Sequence, residues 1–182
     1  TPFCIGIARN MEGMRVLNEY LTHHLHSGQA FREAPEAENI FVIWPFENAP
    51  LRRLAPYEFV GIRPRQVRRL LTSPLLQQKD RLVMLHSLSF ASKADYVLHR
   101  HLRAVSHNCL LSRLPQDACG NPEDHFVSPS QLRKAFEAYP FIVRNTLSLQ
   151  EECCLNFDLK SVKNKLYFTG SRKDDRALLQ KL

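Results

Sequence analysis

The sequence has no long hydrophobic run. No apolar stretch approaches the length of a membrane span, and the first residues show no basic flank leading into an apolar segment. Neither a membrane anchor nor a secretory signal is expected. Glycine is scarce, at six residues, and none builds a glycine-rich phosphate loop. The five cysteines are odd in number and irregularly spaced. That argues against a disulfide framework and for a reducing cytoplasm. Cys119, Cys153, Cys154 and His125 lack the spacing of a zinc site, so no metal or other cofactor is expected. Internal repeats and low-complexity tracts are also missing.

What is present is an apolar fraction of 44% in 182 residues, enough for a sizeable core and too much for a disordered chain. Lys and Arg number 25 against 18 Asp and Glu, a surplus of seven positive charges. Such a surplus fits a polyanionic partner, and it equally fits a solvated basic surface. Its distribution is more informative. Arg52, Arg53, Arg63, Arg65, Arg68 and Arg69 crowd one segment, and His99, Arg100, His101, Arg103 and His107 crowd another. Arginine dominates both, and it makes the bidentate phosphate and guanine contacts that lysine cannot.

Residues 3–8 read as a strand. Met14, Leu17, Leu21 and Leu25 form the stripe of an amphipathic helix, and 28–38 is a loop. Strands follow over Ile40–Trp44 and Tyr57–Ile62, separated by a proline-containing connection. Pro64 opens a helix carrying Val67, Leu70 and Leu71, and 81–90 reads as a fourth strand. The order β-α-β-β-α-β predicts an α+β protein with an N-terminal ferredoxin-like domain over 1–92. A less regular α+β domain is expected over 93–182. In it, Asp95–Arg103, Phe141–Arg144, Cys154–Leu159 and Lys165–Thr169 read as strands. Val105–Leu114 and Ser130–Ala138 read as helices, the latter capped by Ser128 or Ser130, and Arg172–Leu182 as a short helical tail.

In this order the landmarks resemble the CRISPR repeat endoribonucleases of the type I-F systems, a remote likeness spread over most of residues 3–160. Leu25-His26 closes the first helix. Asn39-Ile40-Phe41-Val42-Ile43-Trp44-Pro45 is similar to the family's Asn-Ile-Gly-Val-Ser-Phe-Pro. Leu70-Leu71-Thr72-Ser73-Pro74-Leu75-Leu76 resembles its Leu-Leu helix and turn, and Arg144-Asn145-Thr146-Leu147-Ser148 its Arg-Ser-x-Ser element.

The resemblance implies metal-independent cleavage of precursor CRISPR RNA at the repeat stem-loop. The RNA's own 2′-OH attacks the scissile phosphate, leaving a 2′,3′-cyclic phosphate and a 5′-OH. Histidine suits the base that takes the 2′-OH proton. By position that base is His26, with His23 and His24 as rivals within a turn of it. Thr146 and Ser148 match the hydroxyls that would hold the reacting groups. Alternation in a strand would place them on one face, as it would two ordinary polar residues on a wet face. The family's Tyr before Gly-Leu-Ser is displaced: Phe168 stands in its place and Tyr167 one position early.

The hairpin-binding residues implied are Arg100, His101, Arg103, Arg113, Arg133 and Lys134. Arg103 stands where the family reads a stem base. The partners implied are the repeat RNA hairpin, to whose 3′ stem-loop the protein stays bound, and the other subunits of an RNA-guided surveillance complex. In one group of relatives these include transposition proteins. Two other readings stand beside this one: a non-catalytic RNA-binding subunit, and a regulatory or structural protein sharing only the topology.

Overall fold

The computed structural model describes residues 3–31, 33–158, 160–161 and 167–181. Four strands, β1 (Ile5–Ala8), β2 (Ile40–Pro45), β3 (Glu58–Ile62) and β4 (Leu82–Met84), form one mixed sheet in the order β1-β2-β3-β4. The protein is α+β. β1 pairs antiparallel with β2, with Ala8 opposite Ile40, whereas β2, β3 and β4 are parallel.

Helix α1 (Met11–Ser27) connects β1 to β2. Asn10 caps it, accepting from the Gly13 N–H at 2.9 Å. The excursion closes where it opened, because the Arg9 N–H reaches the Asn39 carbonyl at 3.0 Å. Gly13 makes this closure possible: a Cβ there would lie 1.9 Å from the Asn39 oxygen. The connection from β3 to β4 passes through α2 (Val67–Leu70) and a 3-10 segment, Pro74–Arg81.

The order of elements over the first ninety residues follows the sequence expectation, but the strand arrangement differs. A ferredoxin-like sheet splits its β-α-β units around other strands; here the strands lie side by side in chain order. The reason lies in the 46–57 connection. It is long enough to cross over and bring β3 back parallel to β2, where a tight turn would have made a hairpin. The fourth strand is also shorter than 81–90. The chain after Met84 continues to Phe90, which makes an isolated bridge to His125.

Both faces of the sheet are buried. One carries Ile40, Val42, Trp44, Val60, Ile62 and Leu82 against Leu54, Val67, Leu70 and Leu75. The other carries Phe41, Ile43, Phe59 and Val83. The second half of the chain completes both. Phe136 and Ile142 enter the first core and Leu149 the second. Helix α5 (Pro140–Glu151) runs from the β4 edge across the sheet until the Cys154 N–H meets the Arg9 carbonyl at 2.8 Å.

In this half several expected strands are replaced. Asp95–Arg103 lies in α3 (Lys93–Ser106), and Phe141–Arg144 lies in α5. Val105–Leu114 divides between the end of α3 and a 3-10 turn at Leu111–Arg113. Residues 154–158 and 167–169 are irregular. Leu159 and residues 165–166 lie outside the described residues. Helices α4 (Pro129–Ala135), capped by Ser128, and α6 (Arg172–Leu179) stand where helices were expected. Among the described residues no helix is long and apolar enough to cross a membrane.

One buried charge holds the β2–β3 layer. Glu58 is 3% exposed. Its carboxylate accepts from the Arg52 guanidinium at 2.6 and 2.8 Å, the Ala55 N–H at 2.7 Å and the Trp44 indole at 3.1 Å. The Arg52 hydrogen bonds, the largest influence, hold its pKa below the usual glutamate value against the opposing effect of burial. Glu58→Gln should lower unfolding stability by about 2 kcal/mol at neutral pH, the scale of the charge-assisted bonds lost. Because the native pKa is depressed, this stabilisation is complete above the unfolded value of about 4.3 and is lost as pH falls through the native value. Urea titrations over a pH series check this: the gap between wild type and variant should narrow progressively below about pH 4.

Candidate nucleic-acid interface

Helix α3 begins with a reciprocal cap. The Ser92 hydroxyl accepts from the Asp95 N–H while the Asp95 carboxylate accepts from the Ser92 N–H at 2.7 Å. Its length puts Lys93, Tyr96, Arg100, Arg103 and His107 on one face, at alternating spacings of three and four. That face meets the 116–121 loop. The Gly120 N–H donates to His99 Nε2 at 3.1 Å, and the His99 ring lies 5.2 Å from the Phe90 ring.

Arg103 and Arg100 have different surroundings. Arg103 donates through Nε to the Ala118 carbonyl at 2.8 Å and through Nη2 to His107 Nε2 at 2.9 Å. Its guanidinium fastens the loop to the helix. The Arg100 side chain makes no hydrogen bond or ion pair among the described residues. It lines a groove of about 1110 Å³ with Arg63, Arg65, Ser87, Tyr96 and Asn121. This groove opens beyond the carboxyl ends of β3 and β4, the usual place for ligands on parallel strands. Two of its arginines are already neutralised: Arg63 pairs with Asp124 at 2.7 Å and Arg65 with Glu123 at 3.1 Å. Arg100 is the third arginine of the groove and is in no ion pair; the lining also holds Glu47 and Asp117.

The same division runs through the chain. Among the described residues every ion pair takes its cation from Arg9, Arg15, Arg52, Arg63, Arg65 or Arg69. Arg113 in its 3-10 turn, and Arg133 and Lys134 in the last turn of α4, are exposed and in no ion pair. His101, also exposed, turns its Nδ1 back to the Val97 carbonyl at 2.7 Å.

The three residues read as a catalytic set are held differently from one another. His26 is exposed in the last turn of α1, and its imidazole makes no hydrogen bond among the described residues. His24 is half-buried, with Nδ1 2.9 Å from the Tyr20 carbonyl and its ring stacked on Phe31 at 4.8 Å. Thr146 and Ser148 lie on α5, where residues two apart point about 200° apart around the axis. The shared face expected of a strand is therefore lost. Thr146 is half-buried, and its hydroxyl accepts from the Met84 N–H at 2.8 Å while donating to the Ile142 carbonyl at 2.7 Å. Ser148 is exposed. No hydrogen bond among the described residues joins His26 to either. No cluster of metal-ligating side chains occurs among the described residues.

Sequence reasoning noted the arginine cluster of residues 52–69 but assigned it no role. It also missed the buried Glu58. The available signal was a carboxylate inside the apolar run Tyr57–Ile62, which demands a paired cation. Compared with protein-family models, with curated proteins and with solved structures, the chain matches none.

Arg103→Ala should lower stability by about 1 kcal/mol, the usual worth of a lost internal hydrogen bond. Arg100→Ala should leave the urea midpoint unmoved, as surface changes without partners do. Chemical denaturation of the two variants separates the fastening residue from the free one.

Proposed function

We propose that this chain binds an RNA hairpin as a cytoplasmic subunit of a CRISPR ribonucleoprotein. The observation that carries the reading is the set of cations in the second half that form no ion pair, with Arg100 in the groove beyond β3 and β4. Among the described residues the ion pairs all take their cations from the first half, where Arg53, Arg68 and Arg81 stay outside them, and the second half leaves Arg100, Arg113, Arg133 and Lys134 without carboxylates. A-form RNA is recognised by shape and backbone more than by base edges, which suits cations held by no carboxylate, Arg100 half-buried and Arg113, Arg133 and Lys134 exposed. The strand order plays no part in this support.

Cleavage is the finer reading, and the free imidazole of His26 is what favours it. On this reading His26 takes the 2′-OH proton without help from Thr146, whose hydroxyl already has a donor and an acceptor. In-line attack then closes the cyclic phosphate and expels the 5′-oxygen, with no metal required.

Binding of a repeat hairpin, followed by fluorescence anisotropy, should weaken steeply with salt as phosphate counterions are released and recaptured. Arg100→Ala should reduce the slope of log affinity against log salt by about one. An affinity that stays flat with salt would remove the reading.

Cleavage of the same hairpin in EDTA tests His26 separately. His26→Ala should cost on the order of 10²–10⁴ in rate while leaving hairpin affinity near wild type, since a base acts in the transition state. Wild-type cleavage by His26→Ala, with loss in His24→Ala, would move the base one helical step.

A further inference from the structure

A second groove, of about 720 Å³, lies at the opposite end of the sheet. It is formed by the segments that enter β3 and β4, residues 51–56 and 74–81. Arg52, Arg53, Arg81, Gln77 and Gln78 line it, and Asp80 is its only acid; Leu54 and Leu75, both buried, form its apolar part. The hairpin residues proposed above all lie elsewhere, so this groove has no role yet.

Two of its cations are held in place. Buried Glu58 grips Arg52 through two nitrogens, and Arg52 also donates to the Arg53 carbonyl at 3.2 Å. Arg81 donates to the Pro56 carbonyl at 2.7 Å, and its guanidinium lies 5.6 Å from the Phe59 ring centre. Gln78 ties the two walls, accepting from the Leu54 N–H at 2.8 Å and donating to the Arg52 carbonyl at 3.1 Å. The guanidinium of Arg53 has no partner among the described residues and keeps all five of its donors. With Arg52 paired to Glu58, the groove offers the guanidinium groups of Arg53 and Arg81 against one carboxylate, Asp80.

We propose that this groove binds the phosphodiester backbone of a single-stranded extension of the RNA hairpin. The proposal rests on the hairpin-binding reading. The chain between the two grooves favours a continuous strand over a separate anion. It carries Arg68, exposed and without a partner among the described residues, and Arg69, exposed and loosely paired with Glu47 at 3.5 Å. Single-strand grooves that read bases add aromatic stacking platforms. This lining has none among the described residues, so contact is with phosphates and is indifferent to sequence.

The test compares a blunt repeat hairpin with the same hairpin carrying a short oligo-U or oligo-A extension at either end, by anisotropy across a salt series. On one of the two ends the extension should tighten binding about tenfold, or 1.4 kcal/mol, equally for U and A. It should steepen the log–log salt slope by about 0.7 for each phosphate neutralised. Arg53→Ala, whose side chain supports nothing in the fold, should remove most of that gain and leave the blunt hairpin unaffected; Asp80→Asn should increase it. A blunt hairpin that binds as tightly as every extended one overturns this proposal while leaving the hairpin reading intact. So does an extension effect that Arg53→Ala does not touch, or a groove that binds a poly-glutamate peptide but gains nothing from RNA. Failure of every hairpin to bind overturns the reading on which it rests.

Discussion

Parallel strands must be kept from water on both faces, and β2 and β3, buried along their whole length, impose that demand on everything around them. One face is covered locally by the crossovers that join the strands. The other has no cover in the first ninety residues apart from side chains at its rim, such as Arg9, whose guanidinium lies 4.8 Å from the Phe41 ring centre. Helix α5 supplies the rest. Its Ile142 and Leu149 stand two turns apart and reach different cores, which fixes the helix across the β4 edge. Asn145 and Thr146 meet the edge strand's free polar groups: Asn145 donates to the Leu82 carbonyl at 2.9 Å, and Thr146 accepts from the Met84 N–H. The sheet edge is closed by a helix in place of another strand.

Covering the sheet in this way decides where charge can stay free. Arg52, Arg63 and Arg69 sit beside the sheet's ends, near Glu58, Asp124 and Glu47. A cation close to an apolar core is costly without a partner, so these arginines are paired. Helices α3 and α4 lie farther out. Their cations remain hydrated without carboxylates, and such charges are the ones a phosphate backbone can recruit at little desolvation cost. The outer stripe of α3, Leu98, Leu102 and Val105, is also exposed. Its basic face is therefore the one turned toward the groove.

The first half was legible because its strands obey short, simple patterns. Ile40–Trp44 is a continuous apolar run bounded by Pro45, and the leucine stripe of α1 has unbroken helical spacing. The second half misled through local propensity. Tyr96 and Val97 favour a strand, as do Phe141, Ile142 and Val143. In both places a stop or start signal outweighed them: the Ser92–Asp95 reciprocal cap for α3, and Pro140 at the first turn of α5. Strand order was beyond reach for another reason. The β-α-β-β-α-β succession does not say whether the β2–β3 connection turns back or crosses over; that depends on how Glu58, Arg52 and Trp44 assemble. Of the candidate site, the unpaired cations Arg100, Arg113, Arg133 and Lys134 were legible as residues, though the element carrying Arg100 was not.

The placement of Thr146 bears most directly on chemistry. A hydroxyl can assist phosphoryl transfer only with a proton or lone pair to spare in the direction of the substrate. Thr146 gives its proton to the Ile142 carbonyl and accepts the Met84 N–H. Turning it toward RNA would leave the Met84 N–H unsatisfied at a partly buried edge, a cost of about 1–3 kcal/mol. The fold alone accounts for a threonine at this position: it closes the edge of β4. His26 carries no such structural duty. It ends α1 beside Gly28, whose left-handed backbone (φ 65°) turns the chain away and leaves the imidazole in solvent. Any cleavage by this arrangement depends on a base that RNA must approach from outside, with orientation supplied by the bound hairpin and not by a preformed pocket. On the proposed reading, hairpin binding comes before chemistry, and Arg100 before His26.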